Sequence, residues 1–212
     1  MNRKIAESVP DKQLQKDLEK YRQRALKFGA TDAKIITTDI VVIDERVRAK
    51  CGYPKCESYG TNAFCPPYAM DLEETRKLVN NFQYAIFFRI KAPTETMAGT
   101  RIPEQLKQNR HNRQIRQDIL SKIESEAFYD GYYLAVGFGG GPCKDLFCPD
   151  IECSALIPGQ SCRHSLKARS AMEAVGVDVY LMSSRVGWDI YPLGRAASQA
   201  PHGALLGIVL IY

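Results

Sequence analysis

The sequence predicts an α/β protein, a helix-covered mixed sheet built from two strand–cysteine-loop–helix–strand passes, with an N-terminal helix and a C-terminal strand. Three observations carry this prediction. Apolar or β-branched runs at 35–43, 84–90, 132–138, 177–182 and 204–212 are separated by stretches of helical periodicity. The pattern C-x4-C-x8-C follows the first run as Cys51, Cys56 and Cys65, and returns after the third as Cys148, Cys153 and Cys162. The 212 residues suit one domain with approximate halves 1–103 and 104–212, each holding one cysteine loop, at 51–65 and 143–162.

In chain order, residues 10–28 predict an amphipathic helix, because Leu14, Leu18, Tyr21, Ala25 and Phe28 recur at helical spacing with charges opposite. Ser8 and Asp11 offer an acidic capping box, and Gly29 a stop. Ile35–Ile43 predicts a strand that runs through Asp44–Lys50 into the first cysteine loop. Gly, Pro, Asn and Ser interrupt regular structure in that loop, and Tyr53 and Tyr59 are expected to pack there. Asp71 should cap a short helix reaching about Asn80. Tyr84–Ile90 is apolar almost throughout, which predicts a central strand.

Residues 93–103 read as a loop between Pro93 and Pro103, followed by a longer helix from about Glu104 to Tyr129. Ile115, Ile119, Ile123 and Ala127 give that helix an apolar side. Its first half is basic, with Lys107, Arg110, Arg113 and Arg116. This reads as a solvated face, since no aromatic platform for RNA accompanies the charges. Tyr132–Phe138 predicts the next strand, and Gly139–Pro142 a turn. A dinucleotide fingerprint would need glycine where Pro142 stands, and no helix is expected directly after it, so nucleotide binding is rejected. The glycines are expected to admit a bulky inorganic group or to make a flexible turn. Ser165–Val175 then predicts a helix ended by Gly176, and Val177–Met182 a strand. A loop with Trp188, Pro192 and Gly194 leads to the last strand, Ala204–Tyr212.

Composition narrows the class. Hydrophobic residues at 45% and charged residues at 25% are the mix of a soluble globular protein. The first residues lack the apolar run of a secretory signal, and no run reaches the roughly 18 residues of a membrane span. The expectation is a cytoplasmic protein with no membrane contact. A net charge of +5 falls short of the dense basic face of a nucleic-acid binder. No serine–histidine–aspartate set, phosphate loop or H-E-x-x-H motif is present, so hydrolase chemistry has no support.

All seven cysteines fall in the two groups, with Cys143 one x4 step ahead of the second set. In a reducing compartment such clusters bind metal or do redox chemistry more often than they form disulfides, and an odd number cannot be fully paired. Thiolates suit Zn2+ or iron–sulfur clusters. The x4 steps are compatible with zinc knuckles, whereas the x8 arms and the Cys65-Pro66-Pro67 and Cys148-Pro149 junctions resemble ferredoxin-type runs. Iron–sulfur is therefore preferred, as two [4Fe–4S] clusters, with Zn2+ the alternative. Cys143, Cys148, Cys153 and Cys162 can fill one cluster; Cys51, Cys56 and Cys65 supply three corners of another. Arg46 stands where a matching fourth cysteine would be. Cys143 or His164 could complete that first set, or one iron stays open to substrate, with Arg46, Arg48 and Lys50 able to hold an anion beside it.

The run C-x4-C-x8-C-P-P at 51–67, the group ending Cys162-Arg163-His164, and Arg169–Asp178 together resemble a family of predicted metal-binding proteins, domain of unknown function 2284. The x4 steps of the second group depart from that family's tighter spacing. The resemblance implies cysteine-bound metal and names no reaction. Three function classes follow. One is an electron-transfer protein serving a redox partner protein. Another is an enzyme with an open-site cluster for dehydration, sulfur transfer or reductive chemistry. The third is a zinc-stabilised interaction module. His111, His164 and His202 are expected to be structural or exposed.

Overall fold

The computed structural model describes residues 3–98, 102–193 and 200–212. Among the described residues, six α-helices accompany one four-stranded open sheet: β1 (Asp32–Thr37), β2 (Tyr84–Ala92), β3 (Val136–Phe138) and β4 (Gly203–Leu210). The strand order is β1-β2-β4-β3, and every neighbouring pair is antiparallel. The expectation of a mixed sheet is corrected by the topology. Strands β2 and β3 do run parallel, joined across a long helix, α4 (Pro103–Tyr129), as a crossover requires. The C-terminal strand β4 enters between them in the opposite direction, so the two parallel strands never become neighbours.

Strand β2 is buried on both faces. Ile86, Phe88 and Ile90 meet the apolar side of α1 (Asp11–Lys27), through Leu14, Leu18 and Tyr21, and that of α4, through Ile119 and Ile123. Ala85 and Phe87 face a second core containing Met172, Val175, Met182 and Trp188. Phe87 stacks on Trp188 with ring centres 4.9 Å apart. The sheet thus separates a two-helix layer from a layer of mostly irregular chain, and the cysteine loops grow out of the latter.

Several sequence expectations are corrected locally. β1 begins three residues early and stops at Thr37; Asp44 then accepts from the Arg46 amide and starts α2 (Glu45–Gly52), so this part of the 35–50 run is helical. The strand expected at 132–138 shortens to β3, because Ala135 N–H turns back to the Tyr132 carbonyl. Where a helix was expected at 165–175, the backbone pairs elsewhere: Gly139 N–H donates to Ser170 O, and Met172 N–H to Gly139 O. Only a 3-10 turn, Glu173–Val175, remains, and Gly176 ends it at φ 86°, as predicted. The strand expected at 177–182 is instead α6 (Val179–Arg185). The Asp178 side chain caps Leu181 N–H, and Val179, Met182 and Ser183 bury one helical face. Short apolar runs fit strand or helix equally well, and here the cap decides. The helix α3 (Leu72–Asn80) has the expected Asp71 cap, completed as a box by Glu74. Gly194 of the expected 188–194 loop lies outside the described residues.

Gly207 sits opposite Phe88 in the β2–β4 register, and the Phe88 ring lies over it where a side chain would be. Gly207→Ala should therefore lower stability by about 1–3 kcal/mol through overpacking, despite alanine's better strand entropy. Urea denaturation reads this directly; a neutral or stabilising change would show that the ring can move aside.

Candidate metal centre

The first cysteine group starts on a helix and ends in a buried turn. Cys51 occupies the last turn of α2, and the chain closes behind it with Cys56 N–H on Cys51 O at 2.9 Å. Cys56 is exposed and Cys65 is buried. The Cys65 carbonyl accepts from Tyr68 and Ala69 N–H, both at 3.0 Å, while Gly60 N–H reaches Pro66 O at 2.7 Å and closes the loop. Burial pushes the Cys51 thiol up, with further contributions from Cys56 and Glu173 and opposition from Arg48. Burial likewise raises Cys65; Asn62 opposes this, and Cys51 and Cys56 add to it.

The second group is gathered by a short helix and a pinned arm. A five-residue helix, α5 (Cys143–Phe147), opens directly after Pro142, contrary to the sequence expectation, and Cys148 N–H caps it on Lys144 O at 2.7 Å. The x8 arm is folded back by Ser154, whose hydroxyl donates to Ser161 O at 2.8 Å and accepts from Arg163 N–H at 3.2 Å. Arg163 also donates to Glu152 O at 2.8 Å. As a result Cys143, Cys148, Cys153 and Cys162 all line one small cavity of about 20 Å³. Burial first, then Cys153, Cys65, Cys162 and Cys148, push the Cys143 thiol up to about 12. Without a cation these effects hold Cys143 as the neutral thiol, and a metal ion would stabilise the thiolate that ligation needs.

Asn62 joins the two groups. It is fully buried, lines the second group's cavity, and accepts the Cys143 thiol at 3.7 Å and Phe64 N–H at 3.0 Å on Oδ1. It also hydrogen-bonds to Cys65, three positions further along the chain, and so opposes the upward push of burial on that thiol. Sequence reasoning missed it, since an asparagine in a Gly- and Pro-rich loop reads only as a turn former. Cys143 therefore stands between the groups, next to Cys65 as well as to its own set. His164 belongs to the second cavity: its ring stacks on Phe147 at 5.2 Å and its backbone N–H donates to Cys162 Sγ at 3.4 Å.

The arginines are placed differently from the sequence reading. Arg110, Arg113 and Arg116, one per turn of α4, donate to the carbonyls of Leu146, Pro142 and Gly140 respectively. The basic half of α4 is thus a clamp on the backbone that carries Cys143, and this part of it is not a solvated face. The glycines of 139–141 serve the same packing: a side chain on Gly140 would come within 2.9 Å of Arg116 Nη1. Arg46 is paired with Asp44 and 89% exposed, and Arg48 donates to the carbonyls of Met70 and Ala174. Both arginines are engaged with acceptors of the chain itself, Arg46 in an exposed ion pair and Arg48 on backbone carbonyls.

The donor chemistry fits a thiolate-bound metal. All seven cysteines are unpaired, and soft sulfur donors dominate both groups. Among the described residues no three Cys, His, Asp or Glu side chains converge as they would on a single ion. Cys143, Cys148, Cys153 and Cys162 line one cavity, and metal binding can complete a site of this kind.

Asn62→Ala should leave the part-buried Phe64 N–H and the Cys143 thiol without their shared acceptor and cost about 1–3 kcal/mol. In chelated protein, alkylation followed by peptide mass spectrometry should label Cys56 first and Cys65 and Cys143 last. The Asn62 variant should accelerate the last two selectively; uniform labelling in wild type would contradict this placement.

No curated protein and no solved structure gives a significant match to the chain. A family described as predicted metal-binding protein (DUF2284) matches residues 34–211, which span both cysteine groups and all four strands except the first two residues of β1. The chain belongs to this predicted metal-binding family.

Proposed function

We propose that the chain is an iron–sulfur protein of the cytoplasm, holding two [4Fe–4S] clusters and exchanging electrons with a partner enzyme. One observation carries the reading: Cys143, Cys148, Cys153 and Cys162 open on a single cavity with every thiol unpaired. Such clusters take up and release single electrons at potentials tuned by burial and by hydrogen bonds to sulfur. The chain's own contribution is to gather the ligands, to exclude water through Phe147 and Ala168, and to set two groups side by side at Asn62. Adjacency of the two groups favours a relay, in which an electron enters at the exposed Cys56 side and passes inward. The turning of Arg110, Arg113 and Arg116 onto backbone carbonyls supports a protein partner over a nucleic acid. No described helix is long and apolar enough to cross a membrane.

A second reading has its own observation. Seven cysteines cannot fill the eight corners of two four-iron clusters, and Cys143 stands beside both groups. One position must then be taken by another ligand or left exchangeable, which is the arrangement of a cluster that binds substrate as a Lewis acid.

Protein purified without oxygen should be brown and carry about eight irons per chain with matching acid-labile sulfide. Cys153→Ser should remove about half of both. Stoichiometric zinc in a colourless protein would overturn the iron–sulfur reading in favour of a zinc-stabilised module. The second reading is tested by electron paramagnetic resonance of the reduced protein with and without cyanide. A cyanide-sensitive signal in wild type supports the exchangeable position; a signal that becomes sensitive only in Cys143→Ser supports the closed, electron-carrying form.

A further inference from the structure

The turn Gly140–Gly141–Pro142, which leads into Cys143, also forms part of the wall of a pocket of about 320 Å³. That volume lies at the lower end of the range for small-molecule sites. Its polar end is made by Arg113, Arg116 and Glu173. Arg116 is 5% exposed; it gives one guanidinium nitrogen to Gly140 O, and its Nε has no partner. Glu173 Oε2 is buried and without a partner as well. A buried cation with an unmade hydrogen bond is costly unless something completes it. Burial indeed pulls the Arg116 guanidinium down to about 10.

The rest of the wall is apolar or aromatic. Val179, Ile190 and Leu206 supply aliphatic surface, and Tyr180 and Tyr191 supply rings. Arg113 is also 3.6 Å from Asp145 outside the pocket wall, so Arg116 and its unmatched Nε stand against Glu173 with no surplus charge for a dianion. A phosphate, carrying nearly two negative charges, would overload the pocket beside Glu173. A carboxylate carries one charge and matches the planar fork of an arginine.

We propose that this pocket binds a small monocarboxylate with a compact apolar body, its carboxylate on Arg113 and Arg116 and its body against Val179, Ile190 and Leu206. Glu173 then faces the ligand beside the carboxylate, where it can meet a hydroxyl or amino substituent. The site adjoins the metal loops on two sides: Pro142 precedes Cys143, and Glu173 is within electrostatic reach of Cys51. It is a second functional site, next to the cysteines, and stands whichever metal they carry.

The experiment is isothermal titration of the metal-loaded protein with isovalerate, with isovaleramide of the same shape but no charge, and with inorganic phosphate. Isovalerate should bind, with the amide and phosphate each at least about tenfold weaker, a difference of about 1.4 kcal/mol. Arg116→Gln should weaken isovalerate by about tenfold or more with metal content unchanged, and Arg116→Lys should retain more affinity than the glutamine variant. Because a buried arginine also supports the fold, Tyr180→Ala, at an exposed side chain, provides an independent variant and should weaken isovalerate severalfold. Equal binding of acid and amide, no binding of isovalerate at roughly 10 mM, or unchanged affinity in a folded Arg116→Gln protein would overturn the proposal. These outcomes are read independently of whether the metal is iron or zinc.

Discussion

Strand β2 has almost no solvent face, and the rest of the molecule follows from that constraint. Ile86, Phe88 and Ile90 need one apolar layer and Ala85 and Phe87 another, so the chain must supply cover on both sides. α1 and α4 satisfy the first side with regular helices. The second side is covered by α3, α6 and the 168–190 segment, whose backbone is only partly regular. The two cysteine loops, 51–65 and 143–162, adjoin this side, entered from α2 at Cys51 and from α5 at Cys143.

α4 joins the sheet to the metal loops. Its apolar face, through Ile119, Leu120 and Ile123, is fixed on the sheet, while Arg110, Arg113 and Arg116 reach the carbonyls of the 140–146 turn. Glu124 extends the row, accepting Gly137 N–H and pairing with Arg169 at the edge of the second core. A loop with little apolar content of its own is thus positioned by a helix that cannot move without breaking the core. The same row gives the neighbouring pocket its charge, so the metal loop and the proposed carboxylate site share one support.

Much of the fold was legible in the sequence because long periodic segments leave few choices. The α1 stripe, the 27 residues of α4, the doubly buried β2 and the Asp71 cap were all readable from pattern alone. What was not legible depended on partners far away in the chain. Val177–Met182 became a helix because Asp178 caps it, and 165–175 stayed irregular because Gly139 claims the Ser170 carbonyl and Met172 amide. The sheet became wholly antiparallel because β4 inserted between β2 and β3, an event outside any local signal. For the site, the cysteines announced themselves through spacing. Asn62 carried no such signal, and the arginine row was visible but its direction was not, since a helical period cannot say what lies across from a basic face.

The central claim is that a self-standing sheet and helix scaffold presents two cysteine loops whose order depends on bound metal. Hydrogen exchange read by mass spectrometry, on anaerobic protein before and after chelation, tests it most directly. The account predicts that peptides covering 11–27, 84–92 and 203–210 keep their protection while those covering 51–65 and 143–162 lose it. Loops that remain protected without metal would show that packing alone orders them, and loss of protection across the sheet would show that the scaffold does not stand by itself.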